Sequence, residues 1–336
     1  GRNYNKKGTV IIMNKMYPLI LKAPLKDYIW GGTKLKDEYG FKSELERVAE
    51  AWVVSCHEDG KCEVINGEMA GKTLNEVLDI WGKDALGDIC DGFDSFPILV
   101  KLIDAKDRLS VQVHPSDEYA RKNEGDNGKT EMWYVVDCDE GAKLLYGFNR
   151  SITKDEFSRK ISDNTLDEVL NYVNVHKGDI FFIKSGTVHA IGKGILIAEI
   201  QENSNVTYRV SDYGRLGADR KPRALHIDKA VEVASLEPSS VPYGNVGSTK
   251  ALDGGKATVR ELASCEYFTA KTIKLDGADI CIPAGKGFAS LVVLEGEVTL
   301  DCCGESYNLK KGGSVFIPAG VDFKVSGSCE LLYAGA

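Results

Sequence analysis

The sequence predicts a mainly β protein made of two jelly-roll domains, with small helical insertions in the first domain. From Tyr17 onward, short apolar or alternating runs are separated by Gly, Asn and Asp, which is typical of many short strands. Two segments with helical spacing interrupt this pattern, and one pair of hairpins occurs twice along the chain. The chain has 336 residues, more than one domain usually contains, so two domains are expected.

Two helical insertions are predicted in the N-terminal part of the chain. Residues 72–86 and 153–173 carry apolar residues three and four apart, as one face of a helix does. Thr73 and Thr153 are candidate caps, because a threonine hydroxyl can accept a hydrogen bond from a free amide of the first helical turn. We therefore expect each helix to begin at its threonine.

The repeated hairpins predict that only one domain carries chemistry. The string KGDIFFIKSGTVHAI, residues 177–191, returns as KGGSVFIPAGVDFKV, residues 311–325, and the alignment sets His189 against Phe323. In the hairpin just upstream of each copy, Glu131 is set against Ala289. Such paired hairpins with a glycine turn are typical of a double-stranded β-helix, or jelly roll. Because the second copy lacks the imidazole and the carboxylate, we expect it to be structural.

The domain boundaries follow from these patterns. We expect a tail or expression remnant at residues 1–16, a catalytic metal-binding domain with helical insertions at residues 17–241, a polar linker at residues 242–255, and a C-terminal domain without metal ligands at residues 256–336. The C-terminal domain is expected to pack against the catalytic domain and stabilise it.

Composition argues against several classes of protein. A net charge of -8 without a dense run of Lys and Arg argues against a nucleic-acid partner, although it is compatible with a small anionic substrate. No apolar run approaches the roughly 18 residues that a membrane helix needs, and the N-terminal segment lacks the cleavage site of a signal peptide. The nine cysteines show no CxxC spacing, which favours a reduced, cytoplasmic location.

A metal site has few residues to draw on, because the chain contains five histidines. Gln112 and His114 are two apart in an apolar strand, so alternation points both side chains to one face. Glu131 begins another strand, and His189 follows a glycine turn. Each residue alone could be a turn residue, a surface charge or a hydrogen-bonded core histidine, but a buried polar cluster needs partners and a metal supplies them. Two imidazoles and a carboxylate suit zinc, whereas Gln112 could either ligate or orient its neighbours.

Several strings in the chain resemble a known family, type I phosphomannose isomerase of the cupin superfamily, and most closely its shorter bacterial branch. In chain order, these strings are DYIWGG (27–32), FPILVKLIDAKDRLSVQVHPSD (96–117), GKTEMWYV (128–135), SGTVHAI (185–191) and NSNVTYRVSDYGR (203–215). The resemblance implies two cupin domains and one Zn²⁺ per chain. It places the family's metal ligands on Gln112, His114, Glu131 and His189.

The same resemblance implies the remaining site residues. The family's active-site lysines fall on Lys101 and Lys129, its arginine implicated in catalysis on Arg209, and its active-site carboxylate on Glu199. The substrate phosphate also needs hydrogen-bond donors, and the Ser110 hydroxyl together with Lys129 or Arg209 could supply them.

The implied reaction is the reversible conversion of mannose 6-phosphate to fructose 6-phosphate. Such an aldose–ketose isomerisation removes a proton next to a carbonyl group, so it needs a base and an electrophile that stabilises the resulting enediolate. Zinc can polarise the carbonyl as a Lewis acid, and Arg209 can stabilise the oxyanion. The base is open between Lys101, Lys129 and Glu199, and a lysine would need a pKa lowered toward neutrality by desolvation near the metal.

Two other functions stay open on the sequence alone. One is a noncatalytic cupin that binds a sugar phosphate and regulates a partner. The other is a cupin-type glucose-6-phosphate isomerase or oxygenase that uses iron. The expected partner is a small-molecule sugar phosphate, with neither nucleic acid nor a membrane, and we expect a monomer or homodimer.

Overall fold

The computed structural model describes residues 3–4, 10–11, 15–217 and 219–335. The strands are β1 Asn3–Tyr4, β2 Val10–Ile11, β3 Leu19–Lys22, β4 Leu25–Lys26, β5 Glu50–Val54, β6 Glu63–Val64, β7 Ile98–Ala105, β8 Val111–Val113, β9 Glu131–Cys138, β10 Lys143–Phe148, β11 Leu170–Asn174, β12 Ile180–Ile183, β13 His189–Ala190, β14 Ile195–Glu202, β15 Tyr208–Ser211, β16 Thr249–Leu252, β17 Ala257–Ser264, β18 Thr269–Ile282, β19 Ala289–Cys302, β20 Glu305–Lys310, β21 Ser314–Ile317 and β22 Phe323–Gly335. The α-helices are α1 Lys34–Asp37, α2 Leu74–Trp81, α3 Asp117–Asn123, α4 Lys154–Ser162 and α5 Ile227–Val233.

Two antiparallel sheets form the first jelly roll. One sheet has the order β12-β9-β14-β7-β5-β4 and the other has the order β11-β10-β13-β8-β15. The facing sides of the two sheets share one apolar core, to which Ile103, Trp133 and Ile197 come from the first sheet and Leu144 and Tyr146 from the second. The central strands β7 and β14 are buried along their whole length, which explains why their sequences are nearly continuous apolar runs. The mainly β cupin fold predicted from the sequence is confirmed.

A third sheet crosses the predicted domain boundary. Its order is β16-β17-β18-β22-β19-β21-β3-β6, with β20 also paired to β19. The N-terminal strand β3 pairs with β21, where Leu19 lies opposite Phe316. Strand β16 lies inside the predicted linker, residues 242–255, and pairs with β17. Strands from both ends of the chain therefore build the C-terminal sheet, and the division into domains stays a prediction.

The predicted tail, residues 1–16, lies largely outside the described residues. Its described parts include the short antiparallel pair β1–β2. Met16 packs against the apolar core between the first jelly roll and the C-terminal sheet, so the last residue of the predicted tail contacts the folded protein.

The first predicted insertion has the expected helix and cap. Helix α2 begins after Thr73, whose hydroxyl accepts from the Glu76 amide while the Glu76 carboxylate accepts from the Thr73 amide. This capping box satisfies two amides that a helix start leaves free.

The second prediction is correct at its start and wrong at its end. Thr153 caps α4 through the Glu156 amide, but residues 170–173 belong to strand β11 and not to a helix. Leu170 and Val173 are three apart, a spacing that suggested one helical face, yet β10 offers its edge and Val173 pairs with Leu144. Pairing with a distant strand overrides the local pattern.

Among the described residues, no helix combines the length and the apolar character needed to cross a bilayer.

Candidate metal centre and active site

One row of site residues crosses the second sheet of the first jelly roll. Gln112 on the short strand β8 lies opposite His189 of β13 on one side and opposite Arg209 of β15 on the other. His114 comes directly after β8, two residues beyond Gln112. Period-two alternation therefore places Gln112 and His114 on the face that looks toward the first sheet, as the spacing predicted.

The first sheet supplies the opposite wall. Lys101 on β7 lies opposite Glu199 on β14, and Glu199 lies opposite Trp133 on β9. Glu131 is two residues before Trp133 on β9, so it shares the same face, and Lys129 precedes it by another two. The predicted site residues thus come from strands of two facing sheets and meet between them.

Three of the predicted ligands converge on one point. One potential ligand atom each from His114, Glu131 and His189 lies within 4.8 Å of the other two, and all three residues are buried. The Glu131 carboxylate lies 3.6 Å from His114 Nε2 and 3.3 Å from His189 Nε2. These residues form a possible metal site, because two imidazole nitrogens and a carboxylate oxygen are a common ligand set.

The hydrogen bonds of the two histidines aim their Nε2 lone pairs at this point. His114 Nδ1 lies 2.9 Å from the Val206 carbonyl oxygen, and His189 Nδ1 lies 2.7 Å from the Thr187 carbonyl oxygen. A carbonyl oxygen can only accept, so each Nδ1 carries the hydrogen and each Nε2 of the neutral ring presents a lone pair. Such a lone pair can bind a metal or accept a hydrogen bond, as His114 Nε2 does from Lys129 Nζ. Backbone carbonyls hold metal-binding histidines in this manner in many metalloproteins.

Glu131 is a fully buried carboxylate whose closest cation is the Lys129 ammonium group. Lys129 Nζ lies 2.8 Å from Glu131 Oε2 and 3.3 Å from His114 Nε2. A buried carboxylate that faces two nitrogen lone pairs needs positive charge beside it, which Lys129 supplies in part and a metal ion held by the same three donors would complete. The residues present therefore fit a metal ion.

Burial shifts the pKa values of Glu131, His189 and His114 toward their neutral forms. Burial, together with the nearby Glu199 carboxylate, raises the pKa of Glu131 to about 7. Burial also lowers the pKa of His189 to about 4 and holds the pKa of His114 well below its usual range. Both imidazoles are therefore neutral at pH 7, which is the form that binds metals.

Gln112 lies beside the cluster. Its amide nitrogen is 3.4 Å from His189 Nε2, and its side chain is partly exposed to the adjacent cavity. A carboxamide at this place can turn its oxygen toward a metal held by His189, or it can orient the ring.

Lys101 has two carboxylate partners, and this changes one expectation from the sequence. Lys101 Nζ lies 3.4 Å from Glu199 Oε1 and 3.8 Å from Glu50 Oε2. Burial alone would lower the pKa of Lys101, but Glu50 and Glu199 outweigh it and raise that pKa above its usual value. Glu50, which strand β5 brings beside Lys101, therefore opposes the lowering toward neutrality that the sequence suggested for a lysine near zinc.

Glu199 is held as an anion. Burial favours its neutral form, but the ammonium groups of Lys129 and Lys101 outweigh burial and lower the pKa of Glu199 to about 2. Its Oε2 accepts from Trp133 Nε1 at 2.9 Å, which fixes the direction of the carboxylate. The lysines and glutamates form one buried network of alternating charges next to the possible metal site.

A cavity of 290 Å³ opens next to this network. Its lining includes Ser110, Gln112 and Arg209, together with Lys101, Lys129 and Glu199. Arg209 Nη1 donates to the Ala224 carbonyl oxygen at 2.9 Å, whereas its buried Nε has no partner among the described residues. The structure thus brings together all nine residues named from the sequence.

Other residues of the site were not found from the sequence. Glu50, Tyr28, Asn205 and Arg223 also line the cavity. Glu50 could have been recognised from the sequence, because it is a lone charge within the apolar string VAEAWVV. Arg223 could not, since it stands among several basic residues of a loop, and only the fold shows that Asp212 accepts from its Nε and turns it toward the cavity.

Comparison with known proteins supports one family. The chain matches the family models for phosphomannose isomerase type I, catalytic domain, over residues 19–142 and for mannose-6-phosphate isomerase, cupin domain, over residues 258–334. Mannose-6-phosphate isomerase ManA of Bacillus subtilis strain 168 is 40% identical over 317 residues, which cover 94% of this chain and 98% of that protein. The probable mannose-6-phosphate isomerase GmuF of the same organism is 38% identical over 94% of this chain and 98% of its own length.

A solved structure agrees over the whole fold. The crystal structure of the mannose 6-phosphate isomerase from Bacillus subtilis superposes with a TM-score of 0.87 at 35% identity and covers 95% of this chain and 99% of that one. Identity at this level over nearly complete chains, together with the two family models, confirms the resemblance noted in the sequence. The chain therefore belongs to the type I phosphomannose isomerase family.

Proposed function

We propose that this protein is a zinc-dependent isomerase that interconverts mannose 6-phosphate and fructose 6-phosphate. Membership of the family supports the activity. One observation of the structure carries the proposal: the convergence of His114, Glu131 and His189 beside a cavity that cationic side chains line. The reaction requires such a site, because it develops negative charge on an oxygen next to the carbon that loses a proton.

The proposed metal is one Zn²⁺ per chain. His114, Glu131 and His189 would hold it through two imidazole nitrogens and a carboxylate, and Gln112 would serve as the fourth protein ligand. When bound, zinc supplies Lewis-acid polarisation of the substrate's carbonyl oxygen.

The lysines and the arginine would do most of the electrostatic work. Lys101 stays protonated between Glu50 and Glu199, so we assign it the stabilisation of the enediolate and not the removal of the proton. Lys129 and Glu199 then remain as the groups that move the proton between the two carbon atoms. Arg209 has an unpartnered Nε and would stabilise the oxyanion, while Ser110 with Lys129 or Arg209 would bind the phosphate.

The test is turnover of mannose 6-phosphate by protein whose bound metal has been quantified. We expect near one zinc per chain in the wild type, and loss of both metal and activity in His114→Ala. The matched control is His176→Ala, because the His176 side chain is 80% exposed. Zinc binding without conversion of mannose 6-phosphate would favour a sensor. Iron in place of zinc would favour the cupin-type glucose-6-phosphate isomerase or oxygenase.

We also propose that the protein works in the cytoplasm as a monomer or homodimer, with a sugar phosphate as its small-molecule partner and without a nucleic-acid partner. All nine cysteines have free thiols, including Cys302 and Cys303, whose sulfur atoms lie 3.4 Å apart. Free thiols at this density favour a reducing compartment.

A further inference from the structure

The main chain around Lys129 is held at three consecutive amides. The Gly128 amide donates to Asp117 Oδ1 at 2.8 Å, and the Thr130 amide donates to Glu202 Oε1 at 2.6 Å. Between them, the Lys129 amide donates to the Pro115 carbonyl oxygen at 3.1 Å. Two carboxyl groups thus accept hydrogen bonds from the main chain on either side of Lys129, whose Nζ lies 2.8 Å from Glu131 Oε2. We call this pair of hydrogen bonds the grip.

The two carboxyl groups that form this grip face each other. Asp117 lies beside Glu202 and is one of the groups that act on its carboxyl. Burial, with a contribution from Asp117, raises the pKa of Glu202 to about 8, so Glu202 keeps its proton at pH 7.

Gly128 makes the close approach possible. A Cβ atom at this position would lie 2.4 Å from the Asp117 backbone nitrogen and 2.5 Å from the Ser116 carbonyl carbon. Only a residue without a side chain lets the chain come this near to the start of α3, where Asp117 stands.

The C-terminal part of the chain completes the grip. Tyr267, in the turn between β17 and β18, donates its hydroxyl to Asp117 Oδ2 at 3.2 Å. The same oxygen accepts from Arg121 Nη2 at 3.2 Å, but Arg121 is on the exposed face of α3, with 62% of its side chain accessible. The partly buried tyrosine is thus the contact that links the C-terminal sheet to the chain around Lys129.

We propose that Tyr267, through Asp117 and Glu202, is a positioning residue for Lys129 and Glu131. The C-terminal part of the chain then does more than stabilise the fold, because it sets the place of one active-site lysine and one metal ligand. This inference rests on the proposed function for its catalytic consequence. Its structural core, the position of Glu131, concerns metal binding alone.

The test replaces Tyr267 with Phe, which removes the hydroxyl and keeps the ring. Removing a group that orients a metal ligand through a hydrogen bond typically costs about 10-fold or more in metal affinity or activity. Because Tyr267 acts on Glu131 through Asp117 and the main chain, we expect a smaller effect: Tyr267→Phe should lower kcat several-fold, leave KM near the wild-type value, and speed release of bound zinc to a chelator. The control is Tyr307→Phe, since Tyr307 in the same sheet donates to exposed Glu305.

A double-mutant cycle with Asp117→Asn separates positioning from general loss of stability. If Tyr267 acts through Asp117, the two substitutions together cost less than the sum of their separate effects on zinc release. Additive effects would overturn the proposal, as would a Tyr267→Phe protein that matches the wild type in kcat and zinc release. The proposal would also be overturned if a lower thermal midpoint of the Tyr267→Phe protein fully explained its lower kcat. Because zinc release needs no sugar phosphate, it tests the proposal even if the substrate assignment fails.

Discussion

The pair formed by Asp117 and Glu202 predicts an unusual dependence of stability on pH. Glu202 is 3% exposed, and its pKa is raised from 4.5 to about 8 by burial and by Asp117. Between these pH values the folded protein keeps a proton that the unfolded chain has released. The contribution of Glu202 to the free energy of unfolding therefore falls as the pH rises through this window.

The perturbation is Glu202→Gln. A glutamine cannot titrate, yet its amide oxygen can accept from Thr130 and its amide hydrogens can donate to Asp117. At about 1.4 kcal/mol per pKa unit, the full rise corresponds to an upper limit of about 5 kcal/mol, and relaxation of the site reduces the observed value to roughly 2–5 kcal/mol. The variant should match the wild type near pH 5, gain in relative stability up to about pH 8, and keep that gain above it.

The assay is urea unfolding of the metal-free proteins, followed by tryptophan fluorescence at several pH values. Glu118→Gln is the control, because Glu118 is an exposed glutamate on the same helix as Asp117. A stability difference between Glu202→Gln and the wild type that stays constant from pH 5 to pH 9 would refute the raised pKa of Glu202. A difference that shrinks with rising pH would contradict the sign of the argument.

Two further predictions concern the same region. Gly128→Ala should lower the free energy of unfolding by about 1–3 kcal/mol and speed zinc release, because its Cβ would collide with the Asp117 backbone. Urea unfolding measures this effect, with Gly92→Ala as the control, since a Cβ at Gly92 meets nothing within 4 Å. Equal stabilities of the two variants would contradict the prediction. Metal removal by a chelator should lower the thermal midpoint. Zinc at about 100 times its Kd should then raise the free energy of unfolding by about 2.7 kcal/mol. A His189→Ala protein that gains as much from zinc would show that the ion binds elsewhere.

The sequence predicts the parts of the site that local geometry determines. Gln112 and His114 share a face because strands alternate, and that inference needs one short string. The position of His189 opposite Gln112 depends on pairing between strands far apart in sequence, so only the family resemblance could suggest it. The approach of Glu50 to Lys101 has the same origin, and it opposes the expected lowering of the lysine's pKa.

The same distinction explains the errors in secondary structure. The capping residues Thr73 and Thr153 act within one helical turn, and both were predicted. Residues 170–173 and strand β16 have their conformation set by β10 and β17, which no local pattern describes. Tyr267 gave no signal either, because its partner Asp117 belongs to another part of the fold.

The pairing of β3 with β21 has a consequence for how the protein is made. Leu21 is synthesised long before its partner Ser314. Until then β3 can pair with the short strand β6 on one edge, but its other edge is unpaired. An unpaired edge can associate with other chains. Completion of this sheet must therefore wait until β21 has been synthesised, and β3 stays without its main partner until then.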